Sequence, residues 1–155
     1  MDQALTDYPC EMAQRSTFET LCWFIPILGW FVAGLLERRR RVPKCRYIKA
    51  QLENRTGAAI ADWGEDPRRL AVAEFVSNEI QKEFGWPNAF YVPEDRLGLL
   101  FCGCGCDQSV LFVFTEVERR LGVELVYDPA TRKLAEMALG QFVDYVMFKT
   151  SLRVR

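Results

Sequence analysis

The chain reads as an all-α protein: a four-helix bundle preceded by an apolar amino-terminal helix. Three observations predict this class. Helix start and stop signals lie a helix-length apart, as in Asp66-Pro67 followed by Gly85. Apolar residues between those signals stand four apart, as in Val72, Val76, Ile80 and Phe84. No stretch suggests a sheet of several strands.

The first element is Leu21 to Leu36, sixteen residues without a charge or a strongly polar group. As a helix it would be about 24 Å long, short of the ~30 Å hydrocarbon core of a bilayer. Pro26 and Gly29 would kink it, which membrane helices tolerate better than soluble ones. Four arginines follow directly, Arg38 to Arg41, while the residues before the run are mostly acidic. This charge bias places the carboxy-terminal part in the cytoplasm, with residues 18–41 as the membrane contact. The basic cluster follows the apolar run, so the run is not a cleavable signal peptide. Two other readings stay open: a helix buried in the core, and a segment that binds a partner protein.

Val42-Pro43 is expected to break any helix leaving the membrane, and a linker helix then spans Lys44 to about Asn54, with Tyr47, Ile48 and Leu52 near one face. Asp66-Pro67 opens the next helix with an N-cap and a first-turn proline, and Gly85 closes it. About twenty residues of loop follow, with Val92, Leu97 and Leu100 as apolar anchors. The helix from Ser109 to Leu121 buries Val110, Val113 or Phe114, Val117 and Leu121, is capped by Asp107 or Ser109, and stops at Gly122. Val123 and Leu125 pack as an extended pair. Asp128-Pro129 opens a short helical turn, and the last helix runs from about Leu134 to Phe148. The expected division is a membrane-associated segment over 1–43, a linker helix over 44–65 and a helical domain over 66–155.

Composition narrows the function. The chain has 155 residues, 50% hydrophobic and 26% charged, the balance of one globular domain with a core. It has no histidine, so it lacks the usual general base and the commonest metal ligand, which argues against triad hydrolases and most zinc enzymes. From Glu37 to Lys49 seven basic residues meet one acid, whereas from Ala50 onward 16 acids face 12 bases. That second part is mildly acidic and is not a nucleic-acid binder. The six cysteines show no secreted disulfide pattern, so a reducing compartment is the simpler reading.

Three pieces stand in order: Glu83-Phe84-Gly85, then Val117-Glu-Arg-Arg-Leu-Gly-Val-Glu-Leu125, then Leu139-Gly-Gln-Phe-Val-Asp-Tyr-Val146. Together they make the region from about Asp66 to Lys149 resemble the acyl carrier proteins. The resemblance implies three long helices and one short one, with a long first loop. It also implies an Asp-Ser-Leu motif at the start of the second helix, whose serine holds a phosphopantetheine arm. A gapless match puts Cys106-Asp107-Gln108 on that motif. Asp107 stands where the serine would be, and a carboxylate cannot accept the arm as a hydroxyl does. Ser109 comes two residues later and serves only if the loop shifts. In that family the outer face of the second helix is acidic and docks basic enzymes. Here it holds Phe112, Arg119 and Arg120, with Glu116 and Glu118 the acids. Phe112 is read as a contact point, the other reading being core packing from a rotated helix.

Cys102, Cys104 and Cys106 alternate with glycine ahead of that helix. Closely spaced thiolates suit a soft metal or a reactive thiol. Small residues filling a tight turn account for the same pattern. The expectation is therefore a non-catalytic, carrier-like interaction module held at a membrane, with no cofactor, no metal and a protein partner that the sequence does not name. Its contact surface would comprise Asp107, Phe112 and Glu116. Two alternatives stand beside it: a working carrier with phosphopantetheine on Ser109, and a thiol or metal-binding protein using the three cysteines.

Overall fold

In the computed structural model the described residues are 3–9, 41–57, 63–101, 107–125 and 136–153, with the backbone alone at 107, 108, 152 and 153. They form five helices: α1 (residues 41–53), α2 (Pro67–Phe84), α3 (Leu97–Leu100), α4 (Asp107–Leu121) and α5 (Leu139–Arg153). Among the described residues there is no strand; an isolated β-bridge joins Arg96 and Ala138. The all-α class agrees with the sequence. The apolar run Leu21–Leu36, the Cys102–Cys106 run and the turn after Asp128-Pro129 lie outside the described residues. Among those described, no helix is long and apolar enough to cross a membrane.

Helix α2 begins and ends on the residues that signal it. The Asp66 carboxylate accepts from the Arg68 amide at 2.9 Å, filling a donor the first turn leaves open. Gly85 adopts φ 66°, a left-handed conformation that a side chain would strain, and its amide donates to the Gln81 carbonyl. Between the caps Ala73, Val76, Ser77, Ile80 and Phe84 are buried, a stripe repeating every three to four residues. This stripe meets α4 and α5, which both pack against α2. Val113, Phe114 and Val117 come from α4, and Leu139, Phe142, Val143 and Val146 from α5. An aromatic column runs through the centre: Phe84 stacks on Phe101 at 5.4 Å, and Phe114 meets Phe101 at 6.4 Å and Phe142 at 5.1 Å.

Helix α1 differs from the expected linker in two ways. Pro43 lies inside the helical run instead of ending it. A proline removes its own amide donor and crowds the turn before it, so the helix that follows is left intact. That following part is core: Ile48 and Leu52 are fully buried in the same cluster as α2, α4 and α5. The last helix also differs. It starts at Leu139 and continues to Arg153, later at both ends than expected. Backbone bonds hold residues 137–140 against the loop: the Leu97 amide donates to Met137, Leu139 to Asp95 and Gly140 to Pro93. The Gln141 side chain accepts from the Ala138 amide at 3.2 Å, filling one donor ahead of the first turn.

The connection from Gly85 to Phe101 is pinned along its length. Trp86 donates its indole N–H to the Leu100 carbonyl at 2.8 Å, and Trp63 donates to the Tyr91 carbonyl at 3.0 Å. Tyr91, Val92, Leu97, Leu99 and Leu100 are buried. The anchors expected at Val92, Leu97 and Leu100 are therefore in place, with α3 as a single helical turn among them. At the centre lies an ion pair that sequence reading missed. Arg55 and Asp95 make a two-pronged contact, Nη1 to Oδ2 at 2.6 Å and Nη2 to Oδ1 at 2.8 Å, with both side chains buried. The amides of Leu5 and Val92 donate to the same carboxylate at 2.8 and 2.9 Å. Every lone pair of the buried acid is thus occupied, which is the condition under which such a pair holds a fold together.

Candidate interaction surface

Helix α4 divides its residues by face. Val113, Phe114 and Val117 point into the core, and Val110 and Leu121 are partly buried against it. The other side carries Leu111, Phe112, Thr115, Arg119 and Arg120, all exposed. Phe112 is 63% exposed and Leu111 46%. Phe112, Glu116 and Arg119 follow one another at spacings of four and three residues, so they form one strip along the helix. At 63% exposure Phe112 faces solvent and does not pack into the core as a rotated helix would require.

The strip is apolar at its amino-terminal end and charged at the other. Arg119 donates to Glu116 through both Nε, at 2.9 Å, and Nη2. That hydrogen bond holds the Glu116 carboxyl below its ordinary value, partial burial opposes it, and the charges of Arg119, Lys82 and Arg120 act with it. The same bond raises Arg119. Glu118 has a separate, structural task. Its Oε1 accepts from the Leu125 amide at 2.7 Å and fastens the extended pair Val123 and Leu125, both buried, behind the helix.

The helix starts at Asp107, two residues before the start expected from sequence. The side chain of Asp107 lies outside the described atoms. Ser109 falls inside the first turn of α4 and is half-buried. A phosphopantetheine arm needs an accessible hydroxyl at that position. A carboxylate at Asp107 does not fit the group, and Ser109 is a partly exposed residue two positions later. Among the described residues no cluster of three or more His, Cys, Asp or Glu is arranged to hold a metal ion; Cys102, Cys104 and Cys106 lie outside them.

A second feature lies beside the buried stripe of α2. A cavity of about 350 Å³ opens between this helix and the pinned connection. Trp63, Ala73, Ser77 and Tyr91 are its buried lining residues, and Glu74, Asn78 and Phe90 its exposed ones. Arg69 holds the lining Trp63 in place, bonding its carbonyl at 2.7 Å, lying over its ring and pairing with Asp144 of α5 at 2.8 Å. The volume is at the lower end for small-molecule sites. The Tyr91 hydroxyl is buried and has no hydrogen-bond partner among the described residues. Burial pushes this phenol well above its ordinary value, the Asp95 carboxylate adds to the rise, and the Arg55 guanidinium opposes it.

Of the residues expected at the site, Phe112 and Glu116 share the α4 strip, and Ser109 stands one turn nearer the amino terminus of the same helix. Sequence reading missed Leu111 as a second exposed apolar residue, although it falls outside the buried stripe at positions 110, 113, 117 and 121. It also missed the cavity, which is built from residues far apart in the chain. The chain matches no protein-family model, no curated protein and no solved structure.

Proposed function

We propose that this chain is a non-catalytic interaction module of the acyl-carrier type, a four-helix bundle without a phosphopantetheine arm, tethered at a membrane on its cytoplasmic face. The order of a long helix, a pinned connection, a second long helix and a closing long helix supports the carrier-type reading. The observation that carries the functional reading is the outer strip of α4, where Leu111 and Phe112 stand exposed beside the Glu116–Arg119 pair. Burying a phenylalanine is worth about 1.5–3 kcal/mol, which a partner covering Phe112 would gain. The charged end of the strip would supply register and selectivity more than affinity. The apolar run Leu21–Leu36 and the arginines behind it support the membrane tether.

A photoreactive amino acid in place of Phe112, in the full chain inside cells, tests this reading. It should give one discrete protein adduct that is missing when the probe replaces the exposed Glu136. Arg119→Glu should weaken the adduct without changing the helical circular dichroism. The same adduct pattern from both probe positions would refute the surface.

A further inference from the structure

We propose that residues Gln3 to Pro9 are a strap that binds the chain ahead of residue 10 to α1 and the domain core, so that the chain's amino-terminal residues and its helical domain lie on the same side of any membrane they meet. This deepens the tether proposed above and rests on it. The strap is held by contacts that read its backbone as well as its side chains. Arg55 Nη2 donates to the Gln3 carbonyl at 2.7 Å, and the Leu5 amide donates to Asp95 Oδ1 at 2.8 Å. The Leu5 side chain is buried in the domain core. The Gln51 amide grips Thr6 twice, accepting from its N–H at 3.0 Å and donating to its carbonyl at 3.1 Å. Asp7 pairs with Lys44 at 3.1 Å, and the Tyr8 ring meets the Tyr47 ring edge-on at 5.6 Å.

These contacts have a direction. The strap begins beside Arg55, just past the carboxy-terminal end of α1, and reaches Lys44 and Tyr47 as it arrives at Asp7 and Tyr8. It therefore runs antiparallel to α1, and the chain leaves at Pro9 and returns at residue 41 on one packed body. A single crossing by Leu21–Leu36 would put these two points on opposite sides of a hydrocarbon layer about 30 Å thick. The strap contacts do not allow that.

The test uses the full chain, with one epitope fused ahead of Met1 and another after Arg155, synthesised in the presence of sealed vesicles of phosphatidylcholine and anionic phosphatidylglycerol. Flotation, protease protection and hydrogen exchange are then read on the same sample. The expected result is a chain that floats, loses both epitopes to protease added outside, and exchanges the Leu5 and Thr6 amides roughly tenfold or more slower than a free peptide. The paired variant with Leu5→Asp and Thr6→Gly, changed only in the strap, should lose that slowing at residues 5 and 6 while the α2 amides keep theirs. A floating chain with one epitope protected and the other cut overturns the inference but leaves the tether standing. So does free-peptide exchange at residues 3–9 in the floated chain. A chain that does not float overturns the tether, and the inference with it.

Discussion

Tyr91 is the residue with the clearest cost to the fold. Its hydroxyl is buried without a partner among the described residues, beside an acid whose lone pairs are already filled. Leaving such a group unsatisfied costs about 1–3 kcal/mol. Tyr91→Phe should therefore raise the unfolding free energy by about 1 kcal/mol, read by urea denaturation at pH 7. The pH dependence has a definite sign. The phenol stays protonated in the folded chain above its ordinary pKa of 10.0, while the unfolded chain releases the proton near that value. Between the two the unfolded state binds fewer protons, so this residue's contribution is fully present below pH 10 and falls as pH rises beyond it. Part of the alkaline slope of stability should disappear in Tyr91→Phe; an unchanged slope above pH 10 would show the phenol to be exposed. None of this was legible in the sequence. Tyr91 belongs to a polar-looking stretch, Tyr91-Val92-Pro93-Glu94-Asp95-Arg96, and nothing in its spacing pairs Asp95 with Arg55 forty residues earlier.

The elements with strong local signals were the ones the sequence could place. Helix α2 has its cap, its proline, its stripe and its closing glycine within its own eighteen residues and their neighbours, and it folds where those signals put it. Helix α5 has no such start signal, since its beginning is set by bonds from the connection, Leu139 to Asp95 and Gly140 to Pro93. Position 140 makes this dependence measurable. A Cβ there would stand 2.9 Å from the Pro93 Cβ and 3.1 Å from its carbonyl oxygen. Gly140→Ala should destabilise the fold by about 1–3 kcal/mol through overpacking, although alanine is the better helix former. Thermal unfolding of the variant checks this, and a gain in stability would mean that α5 and the connection do not approach as closely as described. On α4 the buried stripe was legible, and so was Phe112 as a residue outside it. The early start at Asp107 was not, because the cap signals at 107 and 109 compete.

At the scale of the whole molecule, one core unites parts that composition had kept apart. Leu5, Ile48 and Leu52 belong to the same buried cluster as α2, α4 and α5, so the amino-terminal strap and α1 are built into the helical domain. The sequence alone puts these residues in a membrane segment and a linker, because the apolar run Leu21–Leu36 and the break expected at Val42-Pro43 set them apart, with the basic run from Arg38 to Lys49 as flank. That run is compatible with a buried face: Ile48 and Leu52 turn inward from α1, while Arg46 and Lys49 stay exposed. The same economy of faces governs α4, which binds the core with one side and leaves Leu111 and Phe112 on the other. Under the proposed function the bundle works through this outer face and not through a prosthetic arm. Co-expression of the full chain with a broad-specificity phosphopantetheinyl transferase, followed by intact mass measurement, tests it most directly. The expected mass is that of the unmodified polypeptide; a mass raised by one phosphopantetheine group, and restored by Ser109→Ala, would refute the proposal.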